Sequence, residues 1–181
     1  MTMTRRLVRP AAMALTLCVA SPSAAMQDSA APPPPAPPTE IEHVQATVDK
    51  WVGDFNRGDF PAFVAACDKS AAIIDGFPPY AWTGCSDWIA AYQANNRALS
   101  ATHGTLTIGK PAYSEVGFDR AYIIYPATFA NTQKGADTQK GKPVTYQGSW
   151  TITLRKMLDG WTITGSGSAW GDNSLGKPAT P

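Results

Sequence analysis

The sequence Ala71-Ala-Ile-Ile-Asp-Gly-Phe-Pro-Pro-Tyr-Ala-Trp-Thr-Gly84 joins two kinds of local structure. Its apolar start predicts a short buried strand over 71–75 that ends at Asp75. The prolines at 78 and 79 end this strand, because proline has no amide hydrogen to give to a sheet. A helical pattern begins directly after Gly84. The stretch therefore predicts a crossing from a strand into a helix.

Helical patterns dominate the chain up to residue 99. Thr39 and Glu42 form a capping box that predicts the start of the first helix, and Gly58 favours its end. Asp59 can cap a short second helix that runs to about Cys67, and a third helix is predicted from Ser86 to Leu99. The apolar face of the first helix consists of Ile41, Val44, Val48, Trp51, Val52 and Phe55.

Beyond residue 102 the pattern changes from helical to alternating, which indicates strands. The predicted strands are Leu106–Ile108 with Ala112 as a candidate extension, Phe118–Asn131, Val144–Lys156 and Trp161–Trp170. The second of these is apolar on both faces and is expected to be central. The polar segment 131–143 is expected to form a hairpin loop, and Gly165 and Gly167 predict a bulge or bend.

Helices that precede a run of antiparallel strands are typical of an α+β fold. We therefore expect three N-terminal helices packed on a curved, mainly antiparallel sheet, with a cone-shaped cavity between them. This domain is predicted to span residues 40–172. The segment 173–181 is expected to be a flexible tail.

The N-terminal segment has the pattern of an export signal. Arginines at 5, 6 and 9 precede an apolar stretch and then small residues, so 1–25 is predicted to be a signal peptide cleaved after Ala25. The apolar stretch is too short for a permanent membrane anchor. Residues 26–39 are predicted to be a proline-rich disordered linker. These features predict a periplasmic or secreted protein.

Removal of the signal takes away three of the 15 basic residues and none of the 14 acidic residues, which leaves a net charge of −2. No basic cluster remains, so the sequence gives no support for nucleic-acid binding. Cys67 and Cys85 flank the central stretch, and export to an oxidising compartment favours a disulfide between them. The alternative is two buried free thiols.

Three segments carry a resemblance to a known family. They are FNRGDFPAFVAAC (55–67), AAIIDGFPPYAWTG (71–84) and WTITLRKMLDGWTI (150–163). In order and spacing they resemble the NTF2-like superfamily, and within it the SnoaL-like and ketosteroid-isomerase-like proteins, over about residues 41–171. The resemblance implies the cone fold. It leaves function open, because the superfamily includes isomerases, dehydratases, cyclases and binding modules.

Asp75 is the sharpest catalytic candidate. Its spacing from Gly84 is similar to that of the general base in ketosteroid isomerases, and its alternative role is to cap the turn at Gly76. Where those isomerases have a tyrosine that binds the oxyanion, this chain has Trp51. Where they have a second acidic residue, this chain has the segment 151–153, which contains no carboxylate. His103 is the second catalytic candidate, or else a polar residue at the end of a strand.

Aromatic residues predict a pocket for a small apolar molecule, or else they fill the cone themselves. The candidates are Trp51, Phe55, Phe77, Tyr80, Trp82, Trp88, Tyr92, Tyr125, Tyr146 and Trp150. No metal-ligand spacing and no cofactor motif is present in the sequence. The favoured interpretation is an exported SnoaL-like binding protein.

Two alternatives remain open. The first is an isomerase, dehydratase or cyclase with Asp75 as the base, assisted by His103, Tyr92 or Tyr125. The second is a non-catalytic homodimer that pairs through the polar sheet face. That face is formed by Thr145, Gln147, Ser149, Thr151 and Thr153.

Overall fold

A computed structural model describes residues 38–134 and 141–172 of the chain. Its elements are α1 (Glu40–Asn56), α2 (Phe60–Ala65), β1 (Cys67–Ile74), β2 (Ala81–Thr83), α3 (Cys85–Ala98), β3 (Thr105–Ile108), β4 (Tyr113–Val116), β5 (Arg120–Gln133), β6 (Lys142–Met157) and β7 (Gly160–Asp172). The expected signal peptide, the tail, all but the end of the linker and the centre of the hairpin loop lie outside the described residues.

The strands form one sheet in the order β2-β1-β7-β6-β5-β3. Strand β5 pairs with both β3 and β4. The β1–β7 pair is parallel, and the other pairs are antiparallel. The helices pack on the inner face of this curved sheet. The expected α+β class is therefore confirmed. β5 was expected to be central, but it lies next to the edge of the sheet, between β6 on one side and the short strands β3 and β4 on the other, and its burial alternates.

Helix α1 closes one side of the core. The Glu42 carboxylate accepts hydrogen bonds from the Thr39 backbone N–H at 2.6 Å and from the Thr39 hydroxyl at 2.8 Å, which fixes the first turn. Asp54 is also buried in this helix, and its oxygens contact Lys50 Nζ at 2.8 Å and an Arg57 guanidinium nitrogen at 2.6 Å. These partners allow a carboxylate to be buried there.

Strands β2 and β4 were not predicted from the sequence. β2 has only three residues and follows the two prolines, so it is too short to show a period of two. β4 is almost entirely exposed and has no apolar alternation. Phe118, expected to begin the central strand, lies instead in the turn before β5 with 96% of its surface exposed. The first strand also begins earlier than expected, at Cys67.

Strand β6 follows the predicted alternation. Even-numbered residues from Val144 to Leu154 face the core side, and the threonine-rich set faces outward. The β6–β7 register shifts between Thr153 and Leu154, which pair with Gly165 and Ile163. This is a bulge at the first predicted glycine, and it moves the inward-facing residues of β7 from odd to even numbers.

The chain contains the disulfide that the sequence favours, between Cys67 and Cys85. It joins the first residue of β1 to the first residue of α3, and the two cysteines are 18 positions apart in sequence. That loop contains the whole Ala71–Gly84 stretch, so both ends of the stretch are fixed. Within 38–134 and 141–172, no helix is both long and apolar enough to cross a membrane.

Removing the disulfide is expected to destabilise the protein. For a loop of this length, the double variant Cys67→Ala/Cys85→Ala should lose about 3 kcal/mol of free energy of unfolding, because the unfolded chain gains freedom. Urea unfolding of the variant and of the oxidised wild type measures the difference. Intact-mass measurement should find the oxidised wild type lighter than the reduced wild type by the mass of two hydrogen atoms. Equal stability before and after reduction of the wild type would contradict this prediction.

Candidate functional site

The sheet and helices enclose an open cavity of about 320 Å³. This volume is near the lower end of the range typical of small-molecule sites. Most of the wall is aromatic or aliphatic, and the aromatic members are Trp51, Phe55, Phe63, Phe77, Trp88, Tyr92, Phe129, Tyr146, Trp150 and Trp170. The cone is therefore not filled by its own side chains.

Polar side chains from β5 and β6 form part of the cavity wall. Asn131 and Gln133 from β5 and Tyr146 from β6 are half-buried there. The Gln133 amide donates to Asn131 Oδ1 at 3.3 Å and to the Tyr146 hydroxyl at 3.4 Å. Leu99, which follows α3, also lines the cavity and is 43% exposed, so it lies at the rim.

Asp75 lies in the cavity wall with a carboxylate held by four donors. Oδ1 accepts from the Gly76 N–H at 2.7 Å, the Ser168 hydroxyl at 2.5 Å and the Trp170 indole N–H at 2.9 Å. Oδ2 accepts from the Trp88 indole N–H at 3.1 Å. Asp75 therefore caps the turn at Gly76, and its side chain also lines the cavity.

The topology brings three of these four donors to Asp75 from two other elements, α3 and β7. β1 runs parallel to β7 with Ile74 opposite Gly167, so Ser168 and Trp170 lie beside the residue that follows β1. Trp88 lies in the first turn of α3. We call Asp75 and its four donors, which come from Gly76, Trp88, Ser168 and Trp170, the carboxylate clamp.

The clamp leaves little free acceptor capacity. A carboxylate offers about four lone-pair positions, two on each oxygen. Three donors share the two positions on Oδ1, and one donor takes a position on Oδ2, so the remaining position is on Oδ2. Asp75 can accept one further hydrogen bond or pair with one cation from a ligand.

His103 does not line the cavity. Its Nε2 is 2.8 Å from the Phe55 carbonyl, which can only accept, so the hydrogen-bond network assigns the proton to Nε2. Nδ1 then accepts from the Tyr92 hydroxyl at 3.2 Å, and that hydroxyl accepts from the Gly104 N–H at 2.9 Å. Burial raises the pKa of Tyr92. The His103 ring thus ties the end of α1 to α3 and does not reach Asp75.

The predicted pocket residues divide into two groups. The cavity is lined by Trp51, Phe55, Phe77, Trp88, Tyr92, Tyr146 and Trp150. The structure places the other three elsewhere. Tyr80 is exposed at a turn, Trp82 packs on Phe77 from outside the lining, and Tyr125 is buried.

The site residues that sequence reasoning missed include Phe63, Phe129, Asn131, Gln133, Ser168 and Trp170. Phe129 keeps the phase of the inward-facing residues of β5, so alternation could have identified it. Ser168 and Trp170 face inward because of the β7 bulge. Gly165 predicts that bulge, but a glycine alone does not show how the bulge changes the phase of the strand.

The indole groups at the base of the cavity are already paired. Trp51, the residue that the resemblance aligns with the isomerase tyrosine, donates its N–H to the Phe63 carbonyl at 3.1 Å. Trp150 donates to the Ser166 hydroxyl at 2.6 Å. Neither N–H is free to stabilise an oxyanion in this arrangement. Among the described residues, no group of three or more His, Cys, Asp or Glu side chains could hold a metal ion.

Comparisons with known proteins identify the fold. No family model and no curated protein matches the sequence. Solved structures do match. An NTF2-like family protein from Streptomyces avermitilis, described as a candidate dehydratase, has a TM-score of 0.60 and 17% identity and aligns over 75% of this chain and 99% of its own.

Two other solved structures agree with this comparison. A ketosteroid isomerase-like protein from Erwinia carotovora atroseptica has a TM-score of 0.54 and 20% identity, covering 72% of this chain and 95% of its own. An NTF2-like protein of unknown function from Shewanella oneidensis has a TM-score of 0.51 and 19% identity, covering 72% of this chain and 98% of its own. The chain therefore has the fold of the NTF2-like superfamily.

Loss of one clamp donor is expected to destabilise the fold. Ser168→Ala removes a hydroxyl from a charged acceptor and should lower the free energy of unfolding by about 1–3 kcal/mol. Ser70→Ala is the matched control, because Ser70 is exposed and its hydroxyl also donates to a carboxylate, that of Asp68, at 2.6 Å. The control should change stability by less than about 0.5 kcal/mol. Equal effects of the two variants in urea unfolding would refute a special role for the clamp.

Tyr125 should make stability depend on pH in alkaline solution. Burial raises the pKa of Tyr125 to about 12, and its hydroxyl has no hydrogen-bond partner among the described residues. The unfolded chain loses this proton near pH 10, so stability present below about pH 10 should be lost progressively up to about pH 12.

Thermal unfolding from pH 8 to 12 measures this decline. Tyr125→Phe should make it shallower, whereas Tyr80→Phe, at an exposed site, should not. An unchanged profile for Tyr125→Phe would contradict the assignment.

Proposed function

We propose that this protein is an exported, SnoaL-like binding protein whose cavity takes a small, largely apolar molecule. The observation that carries the proposal is the open aromatic cavity of about 320 Å³. Aromatic walls with a few polar groups suit a ligand that has an apolar body and one polar group. The half-buried amides at 131 and 133 and the free position on Asp75 Oδ2 supply such polar contacts.

Catalysis is the second candidate function, and Asp75 is the observation that favours it. A carboxylate beside an apolar cavity is suited to proton transfer. The fold neighbours include a protein described as a candidate dehydratase and one described as ketosteroid isomerase-like. Binding is favoured over catalysis because the indole of Trp51 is already paired and His103 lies outside the cavity lining. An enzyme of this kind would need an oxyanion donor from elsewhere.

Export is part of the proposal. The Cys67–Cys85 disulfide is compatible with an oxidising compartment such as the periplasm or the cell exterior. Residues 1–25 supply the expected signal peptide. Expression of the full chain, with mass analysis of the exported product, should find an N-terminus at Met26. A product that retains residues 1–25 would contradict the export proposal.

The binding proposal is tested at the cavity rim. N-phenyl-1-naphthylamine is a neutral probe whose fluorescence rises in apolar surroundings. Leu99→Trp should narrow the entrance and weaken probe binding at least about tenfold, a loss of about 1.4 kcal/mol. Leu158→Trp is the matched control, because Leu158 lies fully exposed in the β6–β7 turn. If both variants bind the probe like the wild type, or none of the three binds it, the cavity is not the binding site.

A further inference from the structure

The cavity carries a single formal charge, and that charge is negative. Among the described residues that line it, Asp75 is the only ionised side chain, and there is no Lys, Arg or His. No ion pair within the described part of the chain involves Asp75. We propose that the ligand is an organic ammonium ion, with its cationic group at Asp75 and its apolar body among the aromatic rings. This inference rests on the proposed binding function.

The clamp holds this charge without cancelling it. The four donors are a backbone amide, a hydroxyl and two indoles, and each of them is neutral. They stabilise the carboxylate through dipoles and fix its orientation, but the net charge of the site stays at −1. A half-buried carboxylate that is oriented and unpaired attracts a cation more strongly than a fully solvated one does. The open position on Oδ2 is where an ammonium N–H can donate.

The walls also favour a cation. The ring faces of tryptophan, tyrosine and phenylalanine carry negative potential, which attracts an ammonium group within about 6 Å of the ring centre. Trp88 and Trp170 direct the positive N–H edges of their rings at the carboxylate. Trp88 and Tyr92 stack with their ring centres 5.4 Å apart, which gives the wall beside Asp75 a continuous aromatic surface.

The same features disfavour the other ligand classes. An anionic ligand would be repelled by Asp75, and no cationic side chain among the described lining residues would compensate for that. A purely apolar ligand would leave the free position on Oδ2 unused and would desolvate a charge without pairing it. A neutral alcohol could donate one hydrogen bond to Oδ2 but would not neutralise the charge.

Three isosteric compounds separate these classes. Cumylamine, cumyl alcohol and tert-butylbenzene differ only in an ammonium, a hydroxyl or a methyl group on the same branched carbon. Titration of the oxidised wild-type protein, followed by tryptophan fluorescence at neutral pH, gives the three affinities. We expect cumylamine to bind at least about tenfold more tightly than either neutral compound.

Asp75→Asn removes the charge and keeps the size of the side chain. It should lower the affinity for cumylamine at least about tenfold and change that for tert-butylbenzene less than about threefold. Asp119→Asn is the matched control, because it removes one negative charge from an exposed carboxylate in the β4–β5 turn. The control should leave all three affinities unchanged. If Asp75→Asn does not fold, the ranking of the three compounds on the wild type still decides the matter.

Each ranking has one meaning. Tightest binding of cumylamine supports the ammonium ligand. Equal binding of all three compounds would overturn it and leave the proposed binding function intact. Equal binding of amine and alcohol, both above tert-butylbenzene, would show that Asp75 acts only as a hydrogen-bond acceptor, and would also overturn it. If none of the three binds, both the ammonium inference and the proposed binding function fail.

Discussion

The structure depends on how the Asp75 carboxylate is held. One donor is the N–H of the adjacent Gly76, and the other three come from α3 and β7. A carboxylate beside an apolar cavity is stable only when such donors replace the water it has lost. The clamp thereby fixes the end of β1 against β7 and the start of α3. The same bonds orient the charge toward the cavity, so one set of contacts serves both the fold and the site.

The disulfide supports this arrangement from the other end of β1. Cys67 and Cys85 close the segment that contains Asp75, and Trp88 follows Cys85 by one helical turn. The helix that supplies a clamp donor is thus covalently attached to the strand that presents the carboxylate. Loss of either constraint should loosen the other, because both act on the same short segment.

Much of the fold could be predicted from the sequence because its longest elements have strong periods. The apolar face of α1, the alternation of β6 and the cap residues Thr39 and Asp59 are local signals, and the structure follows them. β2 and β4 could not be predicted, since their pairing depends on neighbouring strands and not on their own pattern. The parallel pairing of β1 with β7 is also a property of the whole sheet.

The sequence predicts Asp75 as the central residue of the site, but it does not predict the residues that hydrogen-bond to Asp75. Asp75 and several cavity aromatics followed from position and composition, and the NTF2-like resemblance pointed to the same stretch. The β7 residues that donate to Asp75 could not be predicted in this way, because a one-residue bulge decides which residues of β7 face inward. Tyr125 alternates inward like Phe129 but lies outside the cavity lining, so phase alone does not define the lining. For His103, the sequence could not show that both ring nitrogens are used in structural bonds.

The clamp can be observed directly in the indole N–H signals of a ¹H–¹⁵N NMR spectrum. Trp88 and Trp170 should show slow exchange with solvent and downfield protons, because each donates to the carboxylate. Their two signals should also shift when a ligand enters the cavity. Trp82, which packs on Phe77 outside the cavity lining, is the internal reference. If the signals of Trp88 and Trp170 exchange as fast as that of Trp82 and do not respond to Asp75→Asn, the carboxylate is not held as described.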